Sequence, residues 1–270
     1  MTTTVALVGA SGKLGRIIHA VIDAEDGFEV TRTLGSGSDL AELDGVDLVV
    51  DASTPAVSGD VVRAATERGI NVLVGTSGWS AERIAGIRSA VAAAETGVVF
   101  VPNFSIGSVL GSALAAAAAP FFPSIEIIEA HRETKIDSPS GTAVRTAEMI
   151  AAARADAGPV ESPHVDQRAR GQQVASVPIH SLRRPGVVAK QEVIASGPGE
   201  SLSIVHDTID PARAYAPGIR IALAAARDAR GVSVGLDSFI DIGIRIPKPG
   251  VDKPVAEGGV PGQVARATGA

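Results

Sequence analysis

The chain has 270 residues, a formal net charge of -6 and 45% hydrophobic residues, enough to bury a large core in one or two domains. The acidic balance supplies no cationic excess for a phosphate backbone or an anionic bilayer, so neither nucleic acid nor membrane partners are expected. There is no cysteine, which excludes disulfides and thiolate chemistry, and His19, His131, His164, His180 and His206 show no metal-site spacing, so no metal is expected.

The first residues run directly into an apolar segment without the basic start or cleavage site of a secretory signal, which points to a cytoplasmic protein. Strand-like runs at 5–8, 28–34, 47–51, 72–74 and 98–101 alternate with helical patterns at 14–24, 57–68 and 81–94. Such alternation predicts βαβ units, and strands that are continuously apolar predict helices on both faces, as in a Rossmann-type doubly wound parallel sheet of the α/β class.

Directly after the first strand stands Gly9-Ala10-Ser11-Gly12-Lys13-Leu14-Gly15, at the opening of the first helix. A tight glycine turn before free helical N–H groups suits a dinucleotide pyrophosphate, so residues 9–14 are candidate cofactor contacts. Three further strand ends carry small, hydroxyl and amide residues at the edge where ligands of open α/β sheets bind: Asp51-Ala-Ser-Thr-Pro55, Gly75-Thr76-Ser77-Gly-Trp79, and Val101-Pro102-Asn103-Phe104-Ser105. The second strand ends Thr31-Arg32-Thr33-Leu34-Gly35-Ser36 with no acid before Asp39, which tilts the reading towards NADPH; a solvent-directed Arg32 leaves NADH open, so the cofactor is NADPH or NADH.

After Asn103 the pattern changes. An Ala-rich tract at 109–119 stops at Pro120, short of the roughly 20 residues needed to span a bilayer. A strand at 125–130, a polar loop and a helix at 142–155 follow; a stretch rich in Pro, Gly and charge (158–173) then precedes strand-like runs at 177–182, 186–194 and 201–207. Strands without intervening helices predict a second, α+β domain with a mixed or antiparallel sheet, one face of which self-association would bury. A helix at 219–227 and a strand at 232–244 would return the chain to the first domain. The expected division is therefore 1–104 with 214–246 for the dinucleotide, 105–213 for substrate binding and oligomerisation, and a Pro- and Gly-rich disordered tail at 247–270.

The most informative stretch is Glu129-Ala-His131-Arg132-Glu-Thr-Lys135-Ile-Asp137-Ser-Pro139-Ser140-Gly141-Thr142-Ala143. Three cationic or proton-carrying side chains precede a Ser-Gly-Thr turn whose N–H groups would cradle an anion, a combination suited to a substrate bearing carboxylates. On composition alone, a solvated charged loop whose Ser-Gly-Thr caps a helix is the favoured reading.

This loop resembles the signature of the 4-hydroxy-tetrahydrodipicolinate reductases, and the resemblance extends from the glycine turn through Gly75-Thr-Ser-Gly78 and Pro102-Asn-Phe-Ser-Ile-Gly107 to Leu182-Arg-Arg-Pro-Gly-Val-Val-Ala-Lys-Gln-Glu-Val193. It implies a nicotinamide-dependent reductase of a small cyclic imine dicarboxylate in diaminopimelate and lysine biosynthesis, assembled as a homotetramer. It also implies catalytic roles for His131 and Lys135, and carboxylate binding by Gly141 and Thr142. Two positions depart from the family pattern: Arg132 stands at its second histidine, and Ala212 at the arginine three places before an aromatic, here Tyr215. Both bear on substrate recognition, which leaves open a related imine dicarboxylate as substrate, or a nucleotide-binding sensor without catalysis.

Overall fold

The computed structural model describes residues 2–243, so the expected tail at 247–270 lies outside the described residues. Six strands form a fully parallel sheet in the order β11-β5-β4-β3-β1-β2: β1 (Thr3–Val8), β2 (Phe28–Leu34), β3 (Leu48–Asp51), β4 (Asn71–Val74), β5 (Gly97–Phe100) and β11 (Gly231–Val234). Because strand side chains alternate between faces, Val5, Leu7, Val50, Leu73 and Val99 pack on one side with Ile18 and Ile22 of α1 (Lys13–Asp23) and Leu223 of α6 (Pro211–Arg227). Ala6, Val8, Val49, Val72 and Val98 pack on the other with Val61 and Val62 of α2 (Pro55–Glu67) and with Ile84 and Val91 of α3 (Ala81–Ala93). Each fully buried Val, Leu or Ile contributes about 1.5–3 kcal/mol, which is why the central strands carry no polar alternation. The edge strand β2 differs: Thr31, Arg32 and Thr33 are partly or fully exposed, since no further strand pairs beyond β2 among the described residues.

The second sheet is mixed, in the order β10-β9-β6-β8-β7. Its strands are β6 (Ser124–His131), β7 (Gln172–Val174), β8 (Val177–Arg183), β9 (Ala189–Gly197) and β10 (Glu200–Thr208), with β6 and β8 parallel and the other pairs antiparallel. Helices α4 (Ile106–Ala118) and α5 (Gly141–Ala153) cover one face, over Ile125, Ile127, Val193 and Ile179. The opposite face carries Leu182 and Val205, both exposed, and an ion cluster in which Arg170 and His180 both bond Glu126. No helix covers it among the described residues.

Three elements depart from the sequence-based expectation, the first being the short strand β7, which pairs with β8 where the sequence reading had no strand. Helix α6 begins at Pro211, eight residues before the expected start; the Asp210 side chain caps it through the N–H groups of Ala212 and Arg213. The expected strand at 232–244 is only β11, because Gly235 turns the chain with a φ of 90° into a 3-10 turn at Leu236–Ser238; residue 244 lies outside the described residues. Asn71, buried at the start of β4, anchors this end of the fold by donating to the carbonyls of Ala226, Arg227 and Ala229 and accepting from the N–H of Gly97.

Candidate active site

The glycine turn joins β1 to α1, as its spacing predicts. Gly9 has a φ of 83°, and a Cβ there would lie 2.4 Å from the carbonyl oxygen of Ala52; a Cβ on Gly15 would lie 2.2 Å from the carbonyl oxygen of Gly9. The turn therefore admits no side chain at either position. No side chain caps α1 at Gly12, so the free N–H groups of its first turn face the turn Gly9-Ala10-Ser11-Gly12, and the helix dipole adds to their pull on an anion. Arg16 braces the loop by donating to the carbonyl of Ser11, while Lys13 starts the helix and Leu14 packs beside Gly75.

The ends of β3, β4 and β5 converge next to this turn. Gly75 lies beneath the ring of Phe104, and Thr76 donates to the carbonyl of Asp51. Buried Asp51 accepts from the N–H and hydroxyl of Ser53 and from the hydroxyl of Ser58, to which the Trp79 indole also donates, so the loops after β3 and β4 are held as one unit with Ser77 between them. Val101 and Phe104 have their side chains in the core, leaving backbone atoms as their contribution to any ligand, whereas Pro102 and Asn103 line an open cleft. That cleft, a cavity of about 30 Å³, is lined on its other side by Thr142 and Arg145 of α5 and by Asp237.

The second half of the site grows from β6. Glu129 and His131, two residues apart on a strand, share the helix-covered face. The carboxylate of Glu129 is fully buried; its Oε2 lies 2.5 Å from Nδ1 of His131, and its Oε1 accepts from both Arg183 nitrogens and from the N–H of Ser140. Burial opposes ionisation of this carboxyl, but the bond and charge of His131, together with Arg183, outweigh it and hold the group at about 2. Arg183 also donates to the carbonyls of Lys135 and Asp137, fastening the loop that follows β6. Within that loop Lys135 reaches the Asp137 carboxylate at 2.7 Å, and exposed Arg132 donates to Thr134. Asp137 is depressed below the usual carboxylate range: burial works against this, and the bond and charge of Lys135 with Arg183 prevail.

Ser140 caps α5 by accepting from the N–H of Ala143, and Gly141 and Thr142 form the first turn of that helix. The two halves meet here: Asn103, at the exit of β5, donates to the hydroxyls of Thr142 (3.1 Å) and Ser108 (3.0 Å). The candidate contacts at 9–14, 75–77 and 101–104 thus lie on loops of the parallel sheet, and those at 131–142 on the end of β6, the loop after it and the start of α5, with the Asn103–Thr142 bond joining the two groups. Sequence reasoning assigned no role to Glu129 or Arg183. The i, i+2 spacing of Glu129 and His131 was a usable signal, whereas the pairing of His131 with Arg183 depends on strand register across 52 positions. His180 and His206 lie elsewhere, bonded to Glu126 and Ser105. Among the described residues there is no cluster of three or more metal-ligating side chains, and no helix long and apolar enough to cross a membrane.

Comparison with known proteins shows the family of the chain. Two family models match, "Dihydrodipicolinate reductase, N-terminus" over residues 3–104 and "Dihydrodipicolinate reductase, C-terminus" over residues 107–240. The chain is 53% identical to a 4-hydroxy-tetrahydrodipicolinate reductase of Clavibacter sepedonicus, with all of both chains covered. It is 39% identical to one of Streptomyces griseus, over 88% of this chain and 98% of the relative. A dipicolinate-bound dihydrodipicolinate reductase from Paenisporosarcina sp. TG-14 superposes with a TM-score of 0.72 at 25% identity, over 89% of this chain and all of that one.

Proposed function

Since the chain belongs to the dihydrodipicolinate reductase family, we propose that it reduces 4-hydroxy-tetrahydrodipicolinate to tetrahydrodipicolinate with a pyridine nucleotide, in the diaminopimelate and lysine pathway. The observation that carries this reading is the 3.1 Å bond from Asn103 to Thr142, which sets the strand ends suited to a nicotinamide against a loop rich in cations and N–H donors. Steady-state oxidation of NADPH and NADH with freshly made 4-hydroxy-tetrahydrodipicolinate tests it; no turnover above background at saturating substrate would reject it.

In this reading the N–H groups at the start of α1, with Gly9, Ala10, Ser11, Gly12, Lys13 and Leu14, hold the pyrophosphate, and residues 75–77 and 101–104 hold the nicotinamide riboside. The site fits such a group because the first turn of α1 has no side-chain cap, and the absence of a Cβ at Gly9 and Gly15 lets the turn close tightly against Ala52 and the helix start. The bound cofactor supplies hydride. Gly141 and Thr142 bind one substrate carboxylate through their N–H groups and Arg132 the other. The Lys135 ammonium stabilises charge developing on the ring nitrogen, and His131 transfers a proton. The exit of β2 bears no carboxylate before Asp39, so the enzyme accepts NADPH, with NADH as a second donor; the ratio of kcat/KM for the two measures this directly.

We further propose that 1–104 with 214–246 and 105–213 act as separate cofactor and substrate domains, and that the protein works in the cytoplasm as a homotetramer. The uncovered face of the mixed sheet, with exposed Leu182 and Val205, supports self-association. Light scattering of the eluted protein tests the oligomer.

One observation favours a second reading, a related imine dicarboxylate as substrate. Arg132 always carries its charge and has a longer reach than the histidine of the family pattern. Burial pushes the phenol of Tyr215 in α6 upward while the charge of Arg132 draws it back, so the two side chains lie within electrostatic range of each other. If this reading holds, Arg132→His raises kcat/KM on 4-hydroxy-tetrahydrodipicolinate; no gain favours the first.

A further inference from the structure

Glu129 is a fully buried carboxylate in direct contact with a residue of the proposed proton-transfer machinery, yet it cannot itself reach a substrate. Its two oxygens share Arg183 and divide the other partners: Oε1 accepts from Arg183 and from the N–H of Ser140, while Oε2 accepts from Nη1 of Arg183 and meets Nδ1 of His131. A buried ion of this kind is tolerated only when paired and hydrogen-bonded, and Arg183 supplies that pairing from the neighbouring strand. An ionised carboxylate can only accept, so Nδ1 must carry the proton of that bond.

We infer that Glu129 is a positioning residue for the reduction: it fixes the His131 ring in the form that keeps a proton on Nδ1 and presents Nε2 to the substrate, with Arg183 holding the carboxylate ionised and in place. The inference rests on the reading of His131 as the proton-transfer group. In the step it serves, the Nε2–H bond of the imidazolium breaks and its proton passes to the substrate. The ring is left neutral, still bonded through Nδ1–H to Glu129, and regains its proton from water. Rotation about χ2 or exchange of tautomers would break the Glu129 bond and strand a buried charge, so the carboxylate opposes both. The same carboxylate bonds the N–H of Ser140, the residue before Gly141 and Thr142. It thereby sets the distance between the proton-transfer group and the turn proposed to hold a substrate carboxylate.

Charged groups near His131 along the strand, the neighbouring strand and the following loop include Glu129 on its own strand, Arg183 on β8 and Arg184 after it, whose N–H donates to the His131 carbonyl, and Arg132, Lys135 and Asp137 in the loop. Of these, Glu129 makes direct contact with the ring.

The test is nitrogen-15 NMR of the histidine-labelled full-length protein, combined with kinetics. In the wild-type protein, neutral His131 should show a protonated Nδ1 and an unprotonated Nε2; a neutral ring with its proton on Nε2 overturns the inference. Glu129→Gln should give a mixture of the two ring forms. It should lower kcat by roughly 10–100-fold, part of the 10²–10⁴-fold typical of a positioned proton donor, with KM and NADPH affinity changed less than about twofold. The alkaline limb of its pH–rate profile should move to lower pH, because the imidazolium loses its anion. An unchanged profile and unchanged ring shifts in Glu129→Gln overturn the inference. If that variant does not fold, the double variant Glu129→Gln/Arg183→Met, which leaves no unpaired ion, should fold and show the same mixture of ring forms. His131→Gln separates the two levels. If it turns over at the wild-type rate, the role of His131 fails and the inference with it. If it is inactive while Glu129→Gln behaves as wild type, only the inference fails.

Discussion

Asn103, on the loop leaving β5, donates a hydrogen bond of 3.1 Å to the hydroxyl of Thr142 in the first turn of α5. This side chain belongs to the parallel sheet and its partner to the layer above the mixed sheet, so the bond registers one half of the cleft against the other. The same amide donates to Ser108, and its oxygen accepts from the N–H of Ser105, which leaves it no freedom to turn.

Asn103→Ala should therefore act on both halves at once. Removing a fully bonded amide strands its partners, at a cost of about 1–3 kcal/mol in unfolding free energy. The KM values for nucleotide and dicarboxylate should both rise. Urea unfolding and steady-state kinetics check this; a change confined to one KM would show that the bond does not join the two halves.

At the glycine turn, Gly15→Ala brings a methyl group to 2.2 Å from the Gly9 carbonyl oxygen, a position no real Cβ occupies. The turn must open to admit it. Nucleotide affinity measured by calorimetry should fall at least tenfold, while binding of pyridine-2,6-dicarboxylate to the other half is retained.

Lys135 is four-fifths buried and bonded to Asp137. Lys135→Met keeps the stem and deletes the charge, so kcat should fall by roughly 10²–10⁴-fold with nucleotide affinity unchanged. Activity within twofold of the parent would remove Lys135 from the chemistry.

Stability should report on Glu129 in acid. Its folded-state value of about 2 lies below the ordinary 4.5, so the stabilisation is complete above pH 4.5 and is lost as pH falls through about 2. The gap sets a ceiling of roughly 3 kcal/mol. Unfolding free energies from pH 7 to 3 should decline less steeply in the double variant Glu129→Gln/Arg183→Met than in the parent; parallel curves would contradict the assignment.

The parallel sheet was legible because its strands are buried on both faces and read as unbroken apolar runs between helical periods, with the glycine turn at the first junction. The start of α6 was not legible, because Pro217 and Gly218 inside it read as breakers. A Cβ on Gly218 would lie 2.0 Å from the Phe104 carbonyl oxygen, so tertiary packing, absent from local propensity, explains that glycine. His131, Lys135, Gly141 and Thr142 were singled out by the resemblance of their loop to the family signature, since residue type alone fits a solvated loop equally. Arg183 was not, because its partnership with Glu129 exists only in the register of β6 on β8.

The most direct test is a crystal structure of the protein with reduced nucleotide and pyridine-2,6-dicarboxylate. The pyrophosphate should lie on the N–H groups at the start of α1, one ring carboxylate on those of Gly141 and Thr142, and the ring between the nicotinamide and the side chains of His131 and Lys135. A dicarboxylate bound away from residues 131–142, or a nicotinamide away from 75–77 and 101–104, would contradict the proposed site.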